Sequence, residues 1–172
     1  IINPLVTPGK LPTYGLVAWY PFNGNANDES GNGNNGTVNG ATLTTDRFVN
    51  DNKAYYFKGI NANSYISATI NTSKINGAFS ISFWCSRSGN GYLSPRIMKF
   101  YANNDGLGTV AFGWANGVAP SVIFKTQSQG RSYNYNTVSN DTWTNLVLTT
   151  DCTFVKLFQN GFLISSNQLS GL

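Results

Sequence analysis

The stretch Asn23-Gly-Asn-Ala-Asn-Asp-Glu-Ser-Gly-Asn-Gly-Asn-Asn-Gly36 is the densest gathering of oxygen donors in the sequence. It joins the adjacent carboxylates Asp28 and Glu29 to several amide oxygens, with glycines that free main-chain carbonyls to turn inward. A calcium ion takes about six to eight oxygens from carboxylate, amide, carbonyl and water. The stretch can supply most of such a shell, although its spacing is not that of an EF-hand. Asn and Gly are also the residues of an ordinary turn-rich loop, because both accept left-handed backbone. Composition leaves both readings standing.

Other chemistry is bounded by what is missing. The sequence has no histidine, which removes Ser-His-Asp and Cys-His nucleophilic catalysis, histidine-ligated zinc and the commonest general base. The acids are Asp28, Glu29, Asp46, Asp51, Asp105, Asp141 and Asp151. A glycosidase needs two carboxylates about 5–10 Å apart across one sugar. Here Glu29 is the lone glutamate, and no strand carries two acids at i, i+2. The Gly-Asn runs are followed by no helix, so no helix N-terminus awaits a phosphate. Cys85 and Cys152 lack the spacing of a metal clip or redox pair and read as two small apolar side chains, with a single bridge as the alternative.

Aromatic rings are the second group of candidates. Sugar-binding faces set Trp and Tyr rings against the apolar side of a pyranose while amides and hydroxyls meet its oxygens. Trp84 lies out of phase with Phe83 and Cys85. Trp114 stands near Asn116-Gly117, and Tyr133 and Tyr135 alternate with Ser132, Asn134 and Asn136. These four are the candidate ligand-binding rings, with core or edge packing as the competing fate of each.

The elements that must position these groups are strands. The chain has 172 residues, 41% of them hydrophobic and 14% aromatic, enough for a sizeable core. Charged residues are 10% against roughly 25% in an average soluble domain. The net charge of +4 comes from single, scattered Lys and Arg residues. A nucleic-acid footprint needs them clustered, so no nucleic-acid partner is expected. No apolar run is long enough for a spanning helix, so no membrane insertion is expected either. Residues 1–14, with Pro4, Pro8 and Pro12, read as a linker or extended lead-in. Beyond them the period is two. Phe79-Ser-Ile-Ser-Phe-Trp-Cys85 and Trp143-Thr-Asn-Leu-Val-Leu-Thr-Thr150 alternate as strands with one face in a core. Asn160-Gly161 between two apolar runs, 153–159 and 162–165, predicts a type I′ hairpin. Further strands are expected at 15–20, 53–57, 65–68, 96–101, 109–114, 121–126 and 131–136. Many short strands separated by Asn-Gly turns make an all-β sandwich or barrel.

The opening Gly15-Leu-Val-Ala-Trp-Tyr-Pro-Phe-Asn-Gly and the loop that follows, through Ala41, resemble the start of laminin-G-like, concanavalin A-like lectin/glucanase modules of bacterial (Bacteroidetes-type) surface and secreted proteins. Ala54-Tyr-Tyr-Phe-Lys-Gly59, Phe79-Ser-Ile-Ser-Phe-Trp84, Trp143 and Val155-Lys-Leu-Phe-Gln-Asn-Gly161 are similar to later strands of such modules, in the same order. The resemblance covers residues 15–172 and implies a two-sheet antiparallel jelly-roll sandwich. It also implies a non-catalytic recognition or adhesion role toward a glycan or glycoprotein, and a secreted or cell-surface setting. A structural spacer or assembly domain is the alternative. By position it implies a calcium ion held by Asp28 with oxygens from Ser30, Asn32 or Asn34. Two departures stand out. Trp143-Thr-Asn-Leu146 replaces a common Trp-His-His-Val, and the sequence stops at Leu172, before a final strand that usually follows the hairpin. The resemblance therefore implies a sandwich lacking its C-terminal strand: either the chain is a fragment, or a partner strand or neighbouring domain completes the sheet.

Overall fold

The computed structural model describes residues 14–58, 63–71, 77–88, 96–100, 109–115, 119–125, 130–151 and 153–168. Most of the proline-rich lead-in, the Asn90 and Asn116 turns, Asp105 and Cys152 lie outside these residues, as do the side chains of Arg96, Phe100, Trp114 and Phe124. Among the described residues every regular element is a strand: β1 Thr37–Asn39, β2 Thr42–Thr44, β3 Ala54–Tyr56, β4 Tyr65–Ser67, β5 Phe79–Cys85, β6 Arg96–Phe100, β7 Thr109–Ala115, β8 Ala119–Lys125, β9 Gly130–Asn134, β10 Thr144–Thr150, β11 Phe154–Gln159 and β12 Phe162–Gln168. The chain divides into two compact units, residues 1–74 and 75–172.

The second unit is a two-sheet sandwich. One sheet has the order β12-β11-β10-β5 and the other β6-β7-β8-β9, with all neighbours antiparallel. The second sheet is a meander inserted between β5 and its partner β10, so the connection from β5 passes through the opposite layer before returning. Alternation decides which face meets the other sheet. In β10, Thr144, Leu146, Leu148 and Thr150 are buried, while Asn145, Val147 and Thr149 are more open. Leu146, Leu148, Val155 and Leu157 from one sheet join Phe112, Val122 and Tyr135 in a single buried cluster. Phe83 of β5 meets Phe112 of β7 edge-to-face at 5.1 Å. Burial of each such side chain stabilises the fold by about 1.5–3 kcal/mol.

The hairpin turn forms as its residues dictate. Asn160 and Gly161 take φ of 50° and 83°, the pair of positive values a type I′ turn requires. Asn160 also locks the hairpin to β10: its N–H donates to the Asn145 carbonyl and its Oδ1 accepts the Asn145 N–H, each at 2.9 Å.

The first unit is built differently. Its strands form only two ribbons of two strands, β1–β4 and β2–β3. The expected strand at 15–20 is not one. Its carbonyls at Leu16 and Val17 accept hydrogen bonds from the side chains of Ser30, Asn32 and Asn34, and its Trp19 N–H donates to Asp28. The apolar run is real, but side chains of the Asn-rich loop stand where a neighbouring strand would be. Gly36 pins that loop to the β1–β4 ribbon. A Cβ there would lie 2.9 Å from both the Ala26 carbonyl oxygen and Ile66 Cγ2, so only glycine lets the two segments close.

Candidate functional site

Asp28 is the centre of the opening loop. It is 9% exposed. Its Oδ1 accepts the N–H groups of Trp19 and Ser30, each at 2.9 Å, and its Oδ2 accepts that of Asn34 at 3.0 Å. Its own N–H donates to Asn35 Oδ1 at 3.0 Å. Burial pushes the carboxyl up, but the main-chain donors and the Ser30 hydroxyl more than offset this and hold it at about 2. The Val17 carbonyl is a second hub, accepting from Ser30 Oγ at 3.3 Å, Asn32 Nδ2 at 3.1 Å and Asn34 Nδ2 at 2.9 Å. Tyr20 closes the loop by donating its hydroxyl to the Asn34 carbonyl at 2.6 Å, and burial, with the Asp28 charge beside it, pushes that phenol up.

Asp28, Ser30, Asn32 and Asn34, the set implied by the resemblance, are thus brought together, but they are turned toward main chain. Both Asp28 oxygens face N–H donors, and the amide and hydroxyl donors of the other three face carbonyls. A calcium ion needs those oxygens aimed inward at one point. As arranged, the four bring a single carboxylate, with two N–H groups on its Oδ1 and one on its Oδ2, which is little charge for such an ion. Among the described residues no group of three or more His, Cys, Asp or Glu side chains gathers to hold a metal.

The same use recurs at other carboxylates. Asp46 Oδ1 accepts the Phe48 and Asn50 N–H groups at 2.8 and 2.9 Å. Asp151 Oδ1 accepts those of Thr153 and Phe154 at 2.9 and 2.7 Å. Asp46 is lowered, these donors outweighing the effect of burial, and Asp151 is lowered chiefly by the N–H groups of Phe154 and Thr153. These carboxylates build turns. Cys85 is a free thiol on the inner face of β5, pushed up to about 12 by burial, which keeps it protonated and unreactive.

The four candidate rings separate. Trp84 is 44% exposed on the outer face of β5, the alternation predicted for it, and stands opposite Asn145 of β10 with Ser82 beside it. Asn145 Nδ2 donates to Ser82 Oγ at 3.3 Å and to the Phe83 carbonyl at 3.1 Å. Tyr135 is a correction. It is 3% exposed within the core and its hydroxyl donates to the Val147 carbonyl at 3.1 Å, so its ring cannot stack on a ligand. Tyr133 is partly buried and packs against the same core, while Ser132 and Asn134 take the exposed positions of β9. Trp114 lies in β7, its side chain outside the described residues.

Sequence reasoning missed one feature. A shallow cleft of about 240 Å3 lies between the opening loop and the β1–β4 ribbon, lined by Gly33, Asn34, Asn35, Thr37, Ser67, Ala68 and Thr69. Tyr65, half-exposed, stands near it on the ribbon. Its walls are ordinary loop residues, so only the pairing of β1 with β4, distant in sequence, assembles them.

Comparison with known proteins places this architecture. No curated protein matches the chain. The binding domain of botulinum neurotoxin DC in complex with SialylT is similar in structure, with a TM-score of 0.65 and 18% identity over 85% of this chain; the likeness spans 37% of that one. An S-layer domain-containing protein (residues 221–444) from Clostridium thermocellum ATCC 27405 aligns with a TM-score of 0.43 and 17% identity, over 88% of this chain and 71% of the other. The family model for the concanavalin A-like lectin/glucanases superfamily matches residues 58–172, which takes in β4 to β12 and leaves the Asp28 loop outside. With that match over most of its length and a two-sheet antiparallel sandwich to go with it, the chain belongs to the laminin-G-like branch of the concanavalin A-like lectin/glucanase superfamily.

Proposed function

We propose that this chain is a non-catalytic carbohydrate-recognition module of a secreted or cell-surface protein. The observation that carries the reading is Trp84, an indole 44% exposed on the outer face of β5, with the Asn145 amide and the Ser82 hydroxyl beside it. A ring of this kind stacks on the apolar face of a sugar, and adjacent amide and hydroxyl groups meet the sugar's oxygens. The absence of histidine, the single glutamate and the commitment of Asp28, Asp46 and Asp151 to main-chain N–H groups support a module without catalysis. The low charge of the sequence supports an extracellular setting, where such surfaces are common.

An assembly role is the second reading, and one observation favours it. Phe162 and Leu163 are 75% and 56% exposed on β12, which is an edge strand of its sheet. Exposed apolar side chains on a strand that ends its sheet among the described residues suit a partner strand or neighbouring domain that completes the sheet.

A glycan array probed with the purified chain and with Trp84→Ala tests the proposal. Binding to a restricted set of glycans, weakened at least about tenfold in the variant, is the expected outcome. Silence on every glycan would sink the recognition reading and favour assembly through β12.

A further inference from the structure

We propose that the cleft between the opening loop and the β1–β4 ribbon is a subsite for one neutral sugar ring, an inference that rests on the carbohydrate-recognition reading but uses a different surface from Trp84. Its walls decide the ligand class. Among the described residues they carry amides at Asn34 and Asn35 and hydroxyls at Thr37, Ser67 and Thr69, with no charged side chain. A phosphate or carboxylate would find no cation among them. An apolar group would leave the polar wall desolvated and unpaired. A pyranose offers hydroxyls that donate and accept, which matches amides and hydroxyls in every combination.

Size and shape narrow it further. Pockets for drug-sized ligands run from roughly 300 to 1,000 Å3, and this cleft, at about 240 Å3, falls below that range. It suits a single ring rather than an enclosed oligosaccharide. An aromatic ring lies beyond its lining, farther along the same ribbon. Thr37 pairs with Ser67 and Asn39 with Tyr65, and side chains two positions apart share a face. The Tyr65 ring, 50% exposed, therefore lies about 7 Å along the ribbon from the Thr37–Ser67 pair, on the same side.

The amides are also fixed in advance. Asn34 is 7% exposed; its N–H is held by Asp28 Oδ2, its Nδ2 by the Val17 carbonyl and its carbonyl by the Tyr20 hydroxyl. That leaves Asn34 Oδ1 as the acceptor it brings to the cleft. Asn35 Oδ1 is taken by the Asp28 N–H, which leaves its Nδ2 as a donor. The Asp28 network thus sets one acceptor and one donor side by side, and a ligand meeting them loses little of its binding energy to ordering the site. The loop that looks like a cation cage becomes the frame of a sugar site.

Saturation-transfer NMR on the full chain tests this, with glucose, galactose, mannose and N-acetylglucosamine as neutral probes and N-acetylneuraminic acid as the charged one. At least one neutral sugar is expected to receive saturation, with affinity weakened about tenfold by Tyr65→Ala and lost in Thr69→Trp, which fills the cleft. Ser67→Ala, at an exposed position, gives a second reading if the bulky variant does not fold. Transfer that survives all three substitutions, a preference for the charged sugar, or no transfer to any neutral sugar would overturn the subsite. Transfer lost in Trp84→Ala alone would keep the recognition module and place its sugar on the β5 face, overturning the cleft but not the function.

Discussion

Residues 16–20 and strand β10 are both short runs rich in apolar side chains, and the protein treats them in opposite ways. β10 lies between β5 and β11, so its N–H and C=O groups pair with main chain on both sides. Residues 16–20 draw mainly on side chains, with Ser30, Asn32 and Asn34 donating to Leu16 and Val17 and Asp28 accepting from Trp19, and with one main-chain bond from the Glu29 N–H to the Trp19 carbonyl. The demand is the same in both, because a buried main-chain polar group left unpaired costs about as much as a lost hydrogen bond. The source of the partner differs, and so does the point of failure. A ladder of main-chain bonds survives a polar substitution but depends on the apolar face that clamps it to the opposite sheet. A loop tied by side chains can lose several bonds with one residue.

The largest expected effect therefore lies in the sandwich. Leu148 is fully buried between the sheets. Leu148→Ala should destabilise the second unit by about 2–5 kcal/mol through lost burial and the cavity left behind. The check is the midpoint of urea unfolding. A loss below about 1 kcal/mol would show that the two sheets do not depend on each other as the buried cluster implies.

Asp28→Asn comes next. The variant keeps Oδ1 for Trp19 and Ser30 but sets an NH2 group against the Asn34 N–H, two donors facing each other. The cost should be about 1–3 kcal/mol and confined to the first unit. Amide exchange at Trp19, Ser30 and Asn34 should accelerate while β10 stays protected. The pH dependence has a definite sign. The folded carboxyl sits at about 2 against an ordinary 3.8, so its contribution is complete above the ordinary value and lost as pH falls from there toward 2. Stability curves of the wild type and variant should run apart at neutral pH and converge in that acid window. Parallel curves down to pH 2 would remove Asp28 from the centre of the loop.

The same contrast explains what could be read without coordinates. β5, β10 and the Asn160-Gly161 hairpin were legible because strict alternation and a turn that demands positive φ leave few options. The strands β1 and β2, three residues each, show no period and are formed by pairing, β1 with β4 far along the chain and β2 with β3 across the loop of residues 45–53. Residues 16–20 carry the right side chains for a strand, and nothing local reveals that their partners are amides. Tyr133 and Tyr135 show a further limit. Alternation correctly put them on the face opposite Ser132 and Asn134, but a period says which residues share a face, not which face meets the core. With Phe112 and Val122 waiting across the second sheet, the tyrosines turned inward. At the candidate site, the density of oxygen donors in residues 23–36 was legible from composition, and the choice of Asp28, Ser30, Asn32 and Asn34 came from the resemblance. The direction each oxygen faces was not, because it depends on carbonyls and N–H groups that every residue possesses.

That direction sets the smallest expected effect. Asp28 Oδ1 already accepts the N–H groups of Trp19 and Ser30, so calcium would have to compete for it, while Oδ2 keeps one lone pair beside the Asn34 N–H. One carboxylate is little charge with which to strip water from a hydrated divalent cation. The expected result is the same Tm in excess calcium chloride and in excess chelator. A ligand bound only to the native state raises Tm by mass action, so a fall of several degrees on chelation would show that the loop reorganises around an ion. It would also change the meaning of the Asp28→Asn result, since the variant should then lose the calcium-dependent part of its stability as well. If the two Tm values coincide, the loop is closed by its own donors, and the contrast with β10 reduces to which atoms supply them.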